Sequence, residues 1–220
     1  LQVFLEKQLV GFLLKLDQSG AFDWAKQSGG SSANVTISLA FDKNGNIYIT
    51  GTTLSPNFPT LNPGNGCYFR GGANRGVDAF ILKFTSAGVL LWATYYGGSG
   101  DEGLGTDGTF KNLAIDGCSN VYVSFNTTSA NLPVQSPCDG NYYDNSYNGG
   151  LAGWYGDNAI LKFSNAGIPL WATYLGGSGS DFREALAVDA NNNLFITGEW
   201  MFGQSGNSGT YPLINPGGGA

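Results

Sequence analysis

Apolar residues in this chain come in short consecutive runs rather than in helical stripes. Ile47-Tyr48-Ile49, Val121-Tyr122-Val123 and Leu194-Phe195-Ile196 are apolar at every position. A sheet with one wet face would alternate apolar and polar residues, so strands built on these triplets must be covered on both faces. Each triplet follows a cluster that tolerates positive φ: Lys43-Asn-Gly-Asn46, Gly117-Cys-Ser-Asn120 and Ala190-Asn-Asn-Asn193. Before the clusters stand Leu39-Ala-Phe-Asp42, Leu113-Ala-Ile-Asp116 and Leu186-Ala-Val-Asp189. This order predicts two antiparallel strands joined by a tight hairpin, three times over.

Two further limbs recur ahead of each hairpin. The first reads Gly11-Phe-Leu-Leu-Lys-Leu16, Asp78-Ala-Phe-Ile-Leu-Lys-Phe84 and Asn158-Ala-Ile-Leu-Lys-Phe163; the second reads Trp24-Ala25, Trp92-Ala-Thr-Tyr-Tyr-Gly-Gly98 and Trp171-Ala-Thr-Tyr-Leu-Gly-Gly177. The tryptophans are 68 and 79 residues apart and the third-limb aspartates 74 and 73, so length changes fall between limbs and the gaps are loops. Approximate repeats span 10–77, 78–156 and 157–220, with 1–9 as the tail of a preceding unit.

Four short antiparallel strands, apolar on both faces and repeated along the chain, are what a propeller blade needs, because each blade packs between two neighbours. The expected fold is all-β, a β-propeller-type repeat with about three blades present. Asp78-Ala-Phe-Ile-Leu-Lys-Phe84, Trp92-Ala-Thr-Tyr-Tyr-Gly-Gly98, Ala114-Ile-Asp116 and Asn120-Val-Tyr-Val123 together resemble the bacterial SBBP repeat. Thr52-Thr-Leu-Ser-Pro-Asn-Phe-Pro59 strengthens the likeness, which covers nearly all of the chain from Val10 onward. Departures include Phe125-Asn126 where the other copies carry Gly51 and Gly198. The resemblance implies a secreted or cell-surface module of large adhesin-like proteins and implies no defined activity. A closed ring needs at least four blades, so further blades are expected from the same chain or another subunit, and the sequence reads as a segment of a longer protein.

Composition narrows the possible functions. With 35 Gly, 14% aromatic and 12% charged residues the chain suits strands and turns. A formal charge of −6 leaves no basic field for nucleic acid. No apolar run has the length of a membrane span. Cys67, Cys118 and Cys138 have no metal-ligand spacing; Cys118 with Cys138 is the first disulfide to test, and three free thiols fit equally.

The absence of His removes the Ser-His-Asp and Cys-His triads. An enzyme would have to use carboxylates, and Asp101 with Glu102 or Asp181 with Glu184 could form a glycosidase pair. Both pairs lie in the same repeated loop, which favours a scaffold role, so no catalytic residue is assigned and no cofactor is expected. Gly98-Ser-Gly-Asp-Glu-Gly103 matches a dinucleotide fingerprint only formally, since it follows a strand and no helix is expected after it.

Asp42, Asn44 and Asn46, like Asp189, Asn191 and Asn193, place oxygens at alternate positions as a calcium loop does. The acid required at the twelfth position is replaced by Thr53 and Trp200, and hairpin turns explain the same residues. Lys15, Lys83 and Lys162 read as rim or blade-pairing charges, and the recurrent tryptophans as packing between blades. Asn34-Val-Thr36 and Asn126-Thr-Thr128 match the glycosylation acceptor but lie in or beside strands, and no role is assigned to them.

Function is expected where the copies differ. The connection from Thr127 to Asp157 interleaves Tyr142, Tyr143, Tyr147, Trp154 and Tyr155 with Asn141, Asp144, Asn145 and Asn148. Ring faces beside amides and carboxylates suit sugars, and Tyr and Trp also anchor protein partners. The primary expectation is a non-enzymatic structural or adhesive module that binds glycan or protein. The alternatives are a carbohydrate-active enzyme using loop carboxylates and a pure spacer.

Overall fold

The computed structural model describes residues 10–73, 76–103, 112–137, 142–149, 156–177 and 179–201. Among these residues there are twelve strands and no helix: β1 (Gly11–Leu16), β2 (Phe22–Ser28), β3 (Asn34–Phe41), β4 (Ile47–Thr53), β5 (Asp78–Phe84), β6 (Leu90–Tyr96), β7 (Leu113–Ile115), β8 (Val121–Thr127), β9 (Asp157–Phe163), β10 (Pro169–Leu175), β11 (Ser180–Val188) and β12 (Leu194–Met201). They form two four-stranded antiparallel sheets, β3-β4-β5-β6 and β7-β8-β9-β10, flanked by the hairpins β1-β2 and β11-β12.

Twelve strands amount to three blades, but they divide into two complete blades and two halves. Each sheet joins the third and fourth limbs of one sequence repeat to the first and second limbs of the next, so the sheets cross the boundaries at 77/78 and 156/157. The reason is strand pairing: β4 meets β5 over seven residues, Ile47 opposite Phe84 through Thr53 opposite Asp78. Likewise β8 meets β9 from Val121 opposite Phe163 to Thr127 opposite Asp157.

The hairpins between third and fourth limbs close as their residues predict. Asp42 Oδ1 accepts the backbone N–H groups of Asn44 and Asn46, and Oδ2 accepts Asn46 Nδ2. Asp116 repeats this with Cys118 and Asn120, and Asp189 with Asn191 and Asn193. The six residues considered for calcium therefore serve the turns, and Asn46 and Asn193 turn amide donors toward the aspartate where a cation would need acceptors. Burial works against ionised Asp42, yet the bonds from Asn46 and Asn44 and the charge of Lys83 hold its carboxyl below the ordinary range. Cys67 and Cys118 are free thiols, and Cys138 lies outside the described residues.

Coverage on both faces is realised by sheet-on-sheet packing. Tyr48, Ile81 and Trp92 of the first complete blade share one core cluster with Val121, Val123 and Phe163 of the second. On the other face of the first blade, Ile47, Ile49 and Phe80 pack with Leu13 of β1 and with Trp24. Ala114 and Tyr122 meet Leu186 and Leu194 of the last hairpin. Each interface removes apolar side chains from water, worth about 1.5–3 kcal/mol per fully buried residue.

Lysines and aromatics interlock across strands. Tyr48 stands opposite Lys83, which stands opposite Trp92, and Lys83 Nζ lies 5.1 Å from the Tyr48 ring centroid. Lys162 repeats this over Tyr122 at 4.7 Å and reaches Asp116 Oδ2 at 3.6 Å. Trp92 packs edge-on against Phe163 of the next blade and crowds the Cα of Gly167, whose φ of +83° already disfavours a side chain. A recurrent hydroxyl tie anchors the Phe-Pro turn: Tyr95 donates to the Ser55 carbonyl and accepts from Phe58 N–H, as Tyr174 does with Ser129 and Leu132.

One register pair differs between the blades. Gly51 faces Phe80, and a Cβ on Gly51 would meet the Val35 carbonyl at 2.0 Å and the Phe80 ring at 2.6 Å. At the same place in the second blade Phe125 faces Ala159, so the large and small partners have exchanged strands. Phe125→Ala should cost about 3–5 kcal/mol as a core cavity, and Gly51→Ala about 1–3 kcal/mol by overpacking. Both are read from the shift in urea midpoint at constant m-value.

Candidate functional site

The variable connection expected to carry function is described over residues 142–149. Its backbone is laced to β10: Asp144 N–H donates to Thr173 Oγ1 at 2.8 Å and Tyr174 N–H to the Asp144 carbonyl at 3.0 Å. Asn148 N–H donates to Asp157 Oδ2 at 2.7 Å. Tyr142 and Tyr143 are each 38% exposed, and Asn145 is exposed. Tyr147 instead packs inward, its ring 6.2 Å from that of Tyr174. Trp154, Tyr155 and Asn141 lie outside the described residues. Of the candidate ligand-facing aromatics, Tyr142 and Tyr143 are the ones placed on the surface.

Tyr142 borders a groove of about 840 Å³ together with Pro137, Ile160, Lys162, Leu170, Trp171, Thr173, Leu175, Leu194 and Ile196. One blade earlier, Tyr68, Trp92 and Tyr96 receive the ring of Phe163, at centroid distances of 6.2, 5.6 and 6.0 Å. Tyr142, Trp171 and Leu175 occupy the corresponding positions, and among the described residues no third strand pairs with the β11-β12 hairpin. Trp171 also packs edge-on against Tyr122, in keeping with the packing role read for the recurrent tryptophans.

The loop carboxylates considered for catalysis are structural acceptors. Glu102 is fully buried, and its Oε1 accepts from Gly98 N–H, Thr127 Oγ1 and Ser129 Oγ. Asn34 Oδ1 accepts the same three donor types, from Gly30, Thr53 and Ser55, one blade earlier. In the last hairpin Asp181 Oδ2 accepts Gly177 N–H at 3.2 Å. A neutral amide thus performs the task in one copy and a carboxyl in two, which fits a neutral acid. Asp101 Oδ1 accepts Val77 N–H, and the Glu184 side chain lies outside the described set.

Asn126 and Asn34, the two glycosylation-like asparagines, are buried. Asn126 Nδ2 donates to the carbonyls of Gly156, Asp157 and Asp181. It pins the end of the variable connection to the last hairpin, a role the sequence could not reveal. Among the described residues no group of three or more His, Cys, Asp or Glu residues is placed to hold a metal ion, and no helix is long and apolar enough to cross a membrane.

Burial raises three carboxyls: Glu102 to about 7, Asp157 to about 7 and Asp181 to about 6. Hydrogen bonds from Ser129 and Gly98 oppose the shift at Glu102, and the bond from Asn148 opposes it at Asp157, where neighbouring Asp181 and Asp144 add to it. The folded chain holds these protons over a range in which the unfolded chain, with carboxyl values of about 4, has released them. Stability should therefore fall as pH rises from about 4 to about 7 and level off above that range. Glu102→Gln, which imitates Asn34, should keep the loop closed and flatten part of this slope. Urea midpoints at about pH 5 and about pH 8 give the comparison.

Residues 23–59 and 170–199 match the SBBP family, described as a Beta-propeller repeat. Each match runs from the last strand of one sheet through the first two of the next. The chain is also 25% identical over 209 residues to an uncharacterized WD repeat-containing protein of Acanthamoeba polyphaga mimivirus, an alignment covering 83% of this chain and 14% of that protein. The chain thus spans a small part of the relative's length. Four-stranded antiparallel sheets packed face to face, with the matches at 23–59 and 170–199 falling on strands that build them, make the fold that of β-propeller blades and these two segments similar to the SBBP repeat.

Proposed function

We propose that this chain is a non-enzymatic β-propeller segment, presented outside the cell or on its surface, that holds a glycan or protein partner on the aromatic wall of its second complete blade. A repeat of the propeller type and a WD repeat-containing relative fit a repeat binding or structural module. The observation that carries the finer reading is the groove of about 840 Å³ in which Tyr142 and Trp171 stand beside Lys162 and Thr173. Ring faces there offer stacking surface, while the ammonium and hydroxyl groups offer hydrogen bonds, a combination that suits sugar rings and the apolar anchors of proteins.

The test is a glycan array followed by a hydrolysis assay on any sugar retained. Binding without turnover, weakened about tenfold or more by Tyr142→Ala at unchanged melting temperature, is the expected result, since aromatic anchors commonly carry 2 kcal/mol or more. Turnover abolished by Asp181→Asn would sink the reading in favour of a carbohydrate-active enzyme.

A further inference from the structure

The two complete blades differ at one backbone position in a way that leaves a buried carboxyl without the ion pair its counterpart has. In the first blade Arg70 N–H donates to Thr94 Oγ1 at 2.9 Å and Tyr95 N–H donates to the Arg70 carbonyl at 3.2 Å. Asp144 makes the same two bonds with Thr173 and Tyr174 in the second. Asp144 therefore stands where Arg70 stands, and the charge at that position is reversed.

Arg70 puts its guanidinium to use. Nη1 donates to the Gly97 carbonyl at 2.8 Å, Nη2 to Asp78 Oδ1 at 2.8 Å and Nε to the Gly72 carbonyl at 3.0 Å. Asp78 is fully buried, so this ion pair answers a charge that water cannot reach. The acceptors Gly97 and Asp78 have exact counterparts in Gly176 and Asp157, each placed at the same step of the repeated strands.

At the second blade no described side chain plays the part of Arg70. Asp157 is fully buried; its Oδ2 accepts Asn148 N–H, and its Oδ1 has no hydrogen-bond partner. The Asp144 carboxylate is turned into its own loop, accepting Ser146 N–H at 2.8 Å and Asn148 Nδ2 at 3.2 Å. Asp181 approaches from the last hairpin: a Cβ on Gly176 would lie 2.5 Å from its Oδ2 and 2.8 Å from Asp157 Oδ1. No Lys or Arg occurs anywhere in residues 127–157. Two acids, Asp157 and Asp181, thus meet beside Gly176 where the other blade balances its acids with an arginine.

We infer that Asp157 Oδ1 and the Gly176 carbonyl form a socket for a guanidinium group supplied from outside the chain, the side chain of free arginine or of an arginine-bearing peptide. The guanidinium is planar, permanently charged and able to donate to a carboxylate and a carbonyl at once, which is the pairing Arg70 makes inside the first blade. The socket is separate from the aromatic groove, and its occupancy does not depend on that groove binding anything.

The experiment measures thermal shift and calorimetric titration at neutral pH with N-acetyl-arginine amide, a Gly-Arg-Gly peptide, its Gly-Lys-Gly counterpart and calcium chloride. Saturable stabilisation by an arginine probe, at least tenfold weaker for the lysine peptide and lost in Asp157→Asn, is expected. Equal binding of the amide and the peptide marks a small-molecule source, and binding of the peptide alone marks a protein source. Asp144→Arg, which restores the internal guanidinium, should raise the melting temperature and abolish binding of the arginine probe. The proposal is overturned if neither arginine probe binds, if Asp144→Arg leaves binding unchanged, or if calcium alone gives a saturable shift that Asp157→Asn removes. Because Asp144→Arg adds a bond and Asp157→Asn removes a charge, a failure of one variant to fold leaves the other to decide.

Discussion

When β4 takes β5 as its neighbour over seven residues, and β8 takes β9 in the same register, covalent continuity and hydrogen bonding are set out of step. The hairpin turns tie the third limb to the fourth, yet the sheet is completed only by the first two limbs of the following unit. Every blade is consequently made from two sequence repeats, and every repeat is shared between two blades. The described parts of the loops that link them, 54–73, 128–137 and 142–149, reach the outer edge of the same sheet. They lie against β6 and β10, where the short bridges Leu61 to Ala93 and Gln135 to Ala172 hold them. The variable segments are thereby fixed on a rigid frame, which is what a binding site on a loop requires.

Buried polar groups at the blade junctions follow from the same arrangement. The loop between the second limb of one sheet and the third limb of the next must close beneath a neighbouring blade, where its N–H groups find no water. Asn34, Glu102 and Asp181 supply the acceptors that close it. Using a carboxyl in two of these places raises its proton affinity, because burial disfavours the charged form more than the available donors can offset. The chain thus spends some stability at neutral pH on groups that an amide serves equally well in the first copy.

Much of this was legible in the sequence. The apolar triplets required covered faces, the Asp-x-x-x-Asn turns required hairpins, and their recurrence with the Trp-Ala motif required a repeated sheet. What periodicity could not supply was phase: a repeating pattern has no natural starting point, and only the hydrogen bonds between β4 and β5 show that the sheet begins at the third limb. The surface position of Tyr142 and Tyr143 could be read from their place in a long polar connection. The equivalence of Asp144 with Arg70 could not, because the two connections differ in length and composition, and only the shared bonds to Thr94 and Thr173 align them. The threonine of the Trp-Ala-Thr motif was the available signal, and it marks where a loop docks rather than what the loop carries.

The exchange of large and small residues between Gly51 facing Phe80 and Phe125 facing Ala159 has a bearing on how such a chain can change length. Tandem arrays ordinarily grow and shrink by unequal crossing-over, which works when any unit can follow any other. A recombinant that joined β4 directly to β9 would set glycine against alanine and leave a void about the size of a phenyl ring. The reciprocal product, β8 joined to β5, would force two phenylalanines into one place. Each unit accepts its own successor and rejects a copy of it, so a single pair of side chains gives the array a fixed order and makes the loss or gain of one repeat costly.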